Sequence, residues 1–236
     1  MKTGLYSVFY AIISNGAILI CLLPFLFLGW KKMRRIYTYW VLGIYWLLNG
    51  LDNFLEIYFS RSEGMHVIRQ LSFYYGLVEA PLIILAFALA RQGRERKSLL
   101  LVLLLFMAGE SILIHWSRNN FITLILGSGL MIILLCSLIG LWQYLKKMEH
   151  TRFENSMVFV YAALLFSYGS MLIIYIFAHF HRTSGTNDND ADSFLLYYLS
   201  LLLSAAITSA GLWSYGIRES RQNSYSHSTG YSSSSS

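Results

Sequence analysis

Four carboxylates lie inside long apolar stretches of this chain: Asp52, Glu56, Glu79 and Glu110. His115 and His179 sit toward the ends of two such stretches. Carboxyl and imidazole groups held in hydrocarbon can coordinate a metal, receive a cationic ligand, or carry protons. Each unpaired charge costs at least ~2.5 kcal/mol at the centre of a membrane helix, so four bare anions would not share a small cavity. Three arrangements resolve that cost: neutral carboxyls in hydrogen bonds, a bound cation, or arginines reaching down from Arg61, Arg69, Arg118 and Arg182.

Asp52 and Glu56 belong to a longer pattern. At 100° per residue, Thr38, Tyr45, Asn49, Asp52, Asn53 and Glu56 fall within one arc of roughly 100°, interrupted only by Leu42. A face this polar inside a membrane span must point toward other helices or water. Further polar groups expected on the same side of the membrane are Tyr75 and Glu79, then Glu110, Ser111 and His115, then Tyr175 and His179. The expected ligand-binding set is therefore Asn49, Asp52, Asn53, Glu56, Tyr75, Glu79, Glu110, Ser111, His115, Tyr175 and His179. Candidate ligands for a divalent metal are Asp52, Glu79, Glu110, His115 and His179, although no two of them share a metal-ligand spacing within one span.

The elements that must position these groups follow from composition. With 56% hydrophobic and only 13% charged residues, and charges clustered between apolar runs, the chain reads as a polytopic membrane protein. The expected fold is an all-α bundle of seven transmembrane helices near residues 7–30, 36–59, 71–90, 98–117, 120–145, 154–180 and 193–217. Residues 1–218 form that domain, and 219–236 form a Ser-rich cytoplasmic tail expected to be disordered. Cys21 and Cys136 fall inside spans and read as packing residues.

Cations sort by loop. Lys31, Lys32, Arg34 and Arg35 lie in the first, Arg91, Arg94, Arg96 and Lys97 in the third, Lys146, Lys147 and Arg152 in the fifth, and Arg218 and Arg221 after the last span. The positive-inside rule then places the amino terminus outside and the carboxy terminus inside a cytoplasmic membrane, plasma or bacterial inner. The formal net charge of +6 is thus a topology signal, with the lipid bilayer rather than nucleic acid as partner. Cytoplasmic loops this short hold no output domain, so any signal requires a separate partner docked on the basic loops.

Most polar side chains in the spans fall in outer halves, and the few continuing inward are uncharged. That distribution predicts a pocket open to the outside and closed below, rather than a pore. Ser111 and His115 share a helix face, but there is no GxSxG motif and no further partner in sequence, so the reading leans away from an enzyme.

Seven spans with an outside amino terminus resemble, in topology, the rhodopsins and the seven-helix receptors. A retinal protein needs a Schiff-base lysine in its last helix, and 193–217 contains none, so no covalent retinal is expected there. Membrane ceramidase-like hydrolases are similar in topology and use serine, aspartate and histidines at a metal site. This chain has Ser111, Asp52, His115 and His179 but lacks that family's histidines in its last span. The expected function is a sensor or receptor-like binding protein for a cation or small cationic ligand. A metal-dependent lipid hydrolase is the first alternative and a proton-coupled small-molecule transporter the second.

Overall fold

The computed structural model describes residues 2–30, 36–59, 65–116, 121–184 and 190–229, with side chains described over 7–30, 36–59, 66–114, 127–176 and 194–215. The first basic loop, Arg61, Arg118 and the closing serines lie outside the described residues, as does the side chain of Arg182. The described residues form seven helices and no strand: α1 (Lys2–Trp30), α2 (Tyr37–Phe59), α3 (Met65–Ala90), α4 (Gly93–Trp116), α5 (Phe121–Lys146), α6 (Arg152–Ser184) and α7 (Asp190–Thr229). Six contain stretches long and apolar enough to cross a membrane: Ser7–Trp30, His66–Ala90, Gly93–Ile114, Gly127–Lys146, Arg152–Ile176 and Phe194–Tyr215. This is the make-up of a multi-pass membrane protein. α2 differs because Asn49, Asp52, Asn53 and Glu56 dilute its apolar character, although its 23 residues are long enough for a span.

Six helices close a ring in the order α1, α2, α3, α5, α6, α7, with α7 returning to α1. α4 stands outside it, packed on α3 and touching α5 only lightly. Direction follows from ring contacts. Tyr10 meets Tyr198 at 5.8 Å between centroids and Phe27 meets Trp213 at 5.1 Å, so α1 and α7 run the same way. Phe25 meets Trp40 at 5.9 Å, and the Tyr58 hydroxyl donates to Asn15 Oδ1 at 2.7 Å, so α2 runs against α1. Large apolar side chains on the outside, Leu19, Leu26, Leu104, Leu105 and Leu135 among them, present the lipid-facing surface.

Close approach at two positions fixes the ring. A Cβ on Gly50 would stand 2.9 Å from Cys21 Cβ, which sets the α1–α2 spacing. A Cβ on Gly211 would stand 2.7 Å from Phe159 Cβ and 3.0 Å from the Ser156 carbonyl, and Ser156 Oγ donates to the Gly211 carbonyl at 3.0 Å. Small residues let membrane helices approach this closely and so increase the dispersion contacts between them.

The turns are made by local chemistry. Gly93 takes a φ of +62° between α3 and α4, a conformation open to glycine at little cost. At the start of α6 the Glu154 amide donates to Thr151 Oγ1 at 3.2 Å and the Thr151 amide donates to Glu154 Oε2 at 2.9 Å, a reciprocal capping box. Lys147 forms an ion pair with the same glutamate. α7 continues as helix to Thr229. Extending a formed helix is cheap compared with starting one.

Candidate functional site

The polar arc of α2 does face the bundle. Thr38, Tyr45, Asn49 and Asn53 are buried, while Asp52 is half-buried and Glu56 exposed. Asn53 Nδ2 donates within its own helix to Asn49 Oδ1 at 2.9 Å and to the Asn49 carbonyl at 2.8 Å, and across to the Tyr197 hydroxyl of α7 at 3.1 Å. An amide NH2 has two hydrogens, so these three acceptors share them. Asn49 Nδ2 donates to the Tyr45 hydroxyl at 3.4 Å, and the Tyr45 and Tyr168 hydroxyls lie 3.3 Å apart. Tyr168 in turn donates to Glu79 Oε1 at 2.5 Å.

The polarity of this chain can be worked out. A phenol has one hydrogen, and Tyr168 gives its own to Glu79, so Tyr45 is the donor in the bond between the tyrosines. Along Asn53–Asn49–Tyr45–Tyr168–Glu79 each residue therefore donates to the next and Glu79 is the terminal acceptor, while Asn53 also donates sideways to Tyr197. The chain crosses α2, α6 and α3, and its Asn53 end is bonded to α7.

A second link joins α3 to α2. Ser72 Oγ donates to Asp52 Oδ1 at 2.6 Å. Asp52 is an electrostatic neighbour of both Glu79 and Glu56, and Tyr75 has Glu79, Tyr45, Tyr197 and Asp52 around it. The Tyr75 hydroxyl is buried without a hydrogen-bond partner among the described residues. Among those residues no lysine or arginine forms an ion pair with Asp52, Glu56 or Glu79, and Arg69 is exposed. The arrangement offers carboxylate oxygens from two helices to a positively charged group, with hydroxyl and amide dipoles behind them.

The structure thus brings together Asn49, Asp52, Asn53, Tyr75 and Glu79, with Glu56 at the edge. Glu110 belongs to α4, outside the ring; its Oε1 is buried without a hydrogen-bond partner among the described residues, and no electrostatic contact joins it to the α2 carboxylates. Ser111 is exposed and donates to the Met107 carbonyl of its own helix at 2.9 Å. Tyr175 is 52% exposed, whereas Tyr161 and Tyr168 of the same stripe are in the core. The side chains of His115 and His179 lie outside the described residues. Among the described residues no group of three His, Cys, Asp or Glu side chains could hold a metal ion.

Four partners in this network were not in the expected ligand set: Ser72, Tyr168 and Tyr197, and Tyr45, which belonged to the polar arc alone. For Ser72 a sequence signal existed, since Ser72, Tyr75 and Glu79 share one face of α3 at offsets of three and seven residues. No family model, curated protein or solved structure matches this chain.

Proposed function

We propose that this is a seven-span, receptor-like binding protein of the cytoplasmic membrane, with its amino terminus outside. Asp52 and Glu79 would take a cation or small cationic ligand in a pocket open to the outer side. The observation that supports this reading most is the pairing of Asp52 with Glu79 across α2 and α3, with no cationic side chain ion-paired to either among the described residues. A cation there would meet an attraction that the protein does not satisfy itself. Because Glu79 ends the chain of donors from α2 and α6, a ligand on its carboxylate competes with the bond holding α6 to α3. That gives binding a route into helix packing and, through a separate partner on the basic loops, into a signal.

Thermal-shift titration of the protein in mild detergent with tetramethylammonium, spermidine, calcium and zinc tests the reading. One of these probes raises the melting temperature, and Asp52→Asn or Glu79→Gln weakens its binding by about tenfold, on the order of 1.4 kcal/mol. Unchanged affinity in both variants overturns the proposal. Stoichiometric metal in protein purified without chelator, lost in Asp52→Asn, would instead favour the metal-dependent hydrolase.

The directional chain Tyr45–Tyr168–Glu79 supports a second reading, proton-coupled transport, because aligned hydroxyls ending on a carboxyl can pass a proton. Protein in liposomes with an entrapped pH dye tests it: proton flux present in the wild type and absent in Tyr168→Phe is the expected result, and equal flux in both rules it out.

A further inference from the structure

At the other end of the bundle a cleft of about 200 Å³ opens between α4 and α5. Its floor is Phe87 and Arg91 from the end of α3 with Tyr161 of α6, and Leu99, Cys136 and Ile139 form its apolar walls. Four polar side chains are linked across it. Arg91 has its guanidinium carbon 5.9 Å from the Tyr161 ring centroid and approaches Glu95 at 3.5 Å through Nη1. Glu95 Oε1 accepts from Gln143 Nε2 at 3.2 Å. Gln143 Oε1 is buried and has no hydrogen-bond partner among the described residues.

These groups are held rather than loose. The Tyr161 ring packs on α5 where a Cβ on Gly140 would stand 2.8 Å from it, so the floor of the cleft is fixed by a close helix contact. The amide orientation of Gln143 is set by chemistry, because its nitrogen and not its oxygen must face the Glu95 carboxylate. What remains is a guanidinium with donors beyond its contact with Glu95, and an amide oxygen that lacks a donor. A buried acceptor left in this state is costly, of the kind a bound group would satisfy.

The shape and surroundings identify that group. α4 and α5 scarcely touch, and Ile139 both lines the cleft and is exposed, so the cleft reaches the lipid-facing surface beside Leu135. Its volume is below the ~300 Å³ at which drug-sized sites begin, so it suits a compact polar head whose bulk lies elsewhere. Arg94, Arg96, Lys97 and Lys146 are exposed at the same end, where they attract phosphate-bearing lipids.

We propose that the α4–α5 cleft binds one phospholipid of the adjoining leaflet. Its phosphate sits on Arg91, a donor on its headgroup meets Gln143 Oε1 and Glu95, and its acyl chains leave between the two helices over Leu99 and Ile139. The donor requirement selects ethanolamine and glycerol headgroups over choline, which has none. This site does not depend on the α2–α3 carboxylates.

Native mass spectrometry of the full chain decides the matter, with the protein released from mild detergent containing equal amounts of phosphatidylethanolamine, phosphatidylglycerol and phosphatidylcholine. One retained phosphatidylethanolamine or phosphatidylglycerol per protein is expected, at about tenfold or more over phosphatidylcholine, the discrimination of a single charge-assisted hydrogen bond. Whichever of the two predominates tells whether an ammonium or a hydroxyl is the donor. Arg91→Gln reduces retention of both; Gln143→Leu reduces the preference over phosphatidylcholine while leaving the phosphate contact, and Gln143→Leu with Glu95→Leu abolishes it. Should Arg91→Gln fail to fold, wild type beside Gln143→Leu and the cleft-filling Leu99→Trp still decides. Equal retention of all three lipids by the wild type, or unchanged retention in Leu99→Trp, overturns the proposal.

Discussion

The Tyr168 hydroxyl donates to Glu79 Oε1 at 2.5 Å, and this bond ties α6 to α3 at the end of a run in which Asn53, Asn49, Tyr45 and Tyr168 each donate to the next member. Removing it with Tyr168→Phe should destabilise the protein by about 0.5–2 kcal/mol, the spread for a single interhelical hydrogen bond in a membrane. Thermal unfolding in detergent measures it. Glu79→Leu, which removes the acceptor, combined with Tyr168→Phe should cost less than the sum of the single changes, since both delete the same contact. Additive costs would mean that the bond contributes nothing.

Close helix approach makes a matched pair of glycine variants informative. Gly211→Ala places a Cβ 2.7 Å from Phe159 Cβ and should cost about 1–3 kcal/mol through overpacking. Gly109→Ala has nothing within 4 Å of its new Cβ and should be neutral, or stabilising by up to about 1 kcal/mol through helix propensity. Equal melting temperatures for the two variants would contradict the packing at Gly211.

The capping box at the head of α6 should be worth about 1 kcal/mol, so Thr151→Ala lowers stability by that amount while Thr151→Ser retains most of it. Chemical denaturation of the two variants side by side separates loss of the cap from loss of the threonine methyl.

Sidedness can be read with cysteine labelling. In a background with Cys21 and Cys136 replaced by serine, Gln70→Cys and Arg96→Cys place thiols on exposed positions at opposite ends of the bundle. A membrane-impermeant maleimide added to intact cells should label the Gln70 position and spare the Arg96 position. The reverse pattern would invert the proposed orientation.

How much of this was legible depends on the kind of signal. The α2 arc could be read from spacing alone, because burying Asn49 and Asn53 on one helical face leaves a periodic trace. The apolar runs identified the helices for a similar reason. Glu110 was not legible: nothing in its own helix tells that α4 stands outside the ring, since a helix in lipid can be apolar on every side. Tyr175 misled because a repeat of seven drifts about 20° per step on a helix of 3.6 residues per turn, so Tyr161 and Tyr168 stay inside while Tyr175 turns out. The Arg91–Glu95–Gln143 cluster joins polar residues of the α3–α4 turn, α4 and α5, and each by itself looks like an ordinary interfacial residue.

The position of α4 constrains the order of assembly. α3 and α5 are neighbours in the ring, yet the ribosome must complete α4 between them. α3 therefore waits with one flank unpaired while α4 inserts and moves aside, and α1 waits longer still, until the last helix arrives to cover Tyr10 with Tyr198. A nascent chain halted after α6 is thus an open crescent with two unfinished edges, the stage at which membrane chaperones would have most to shield.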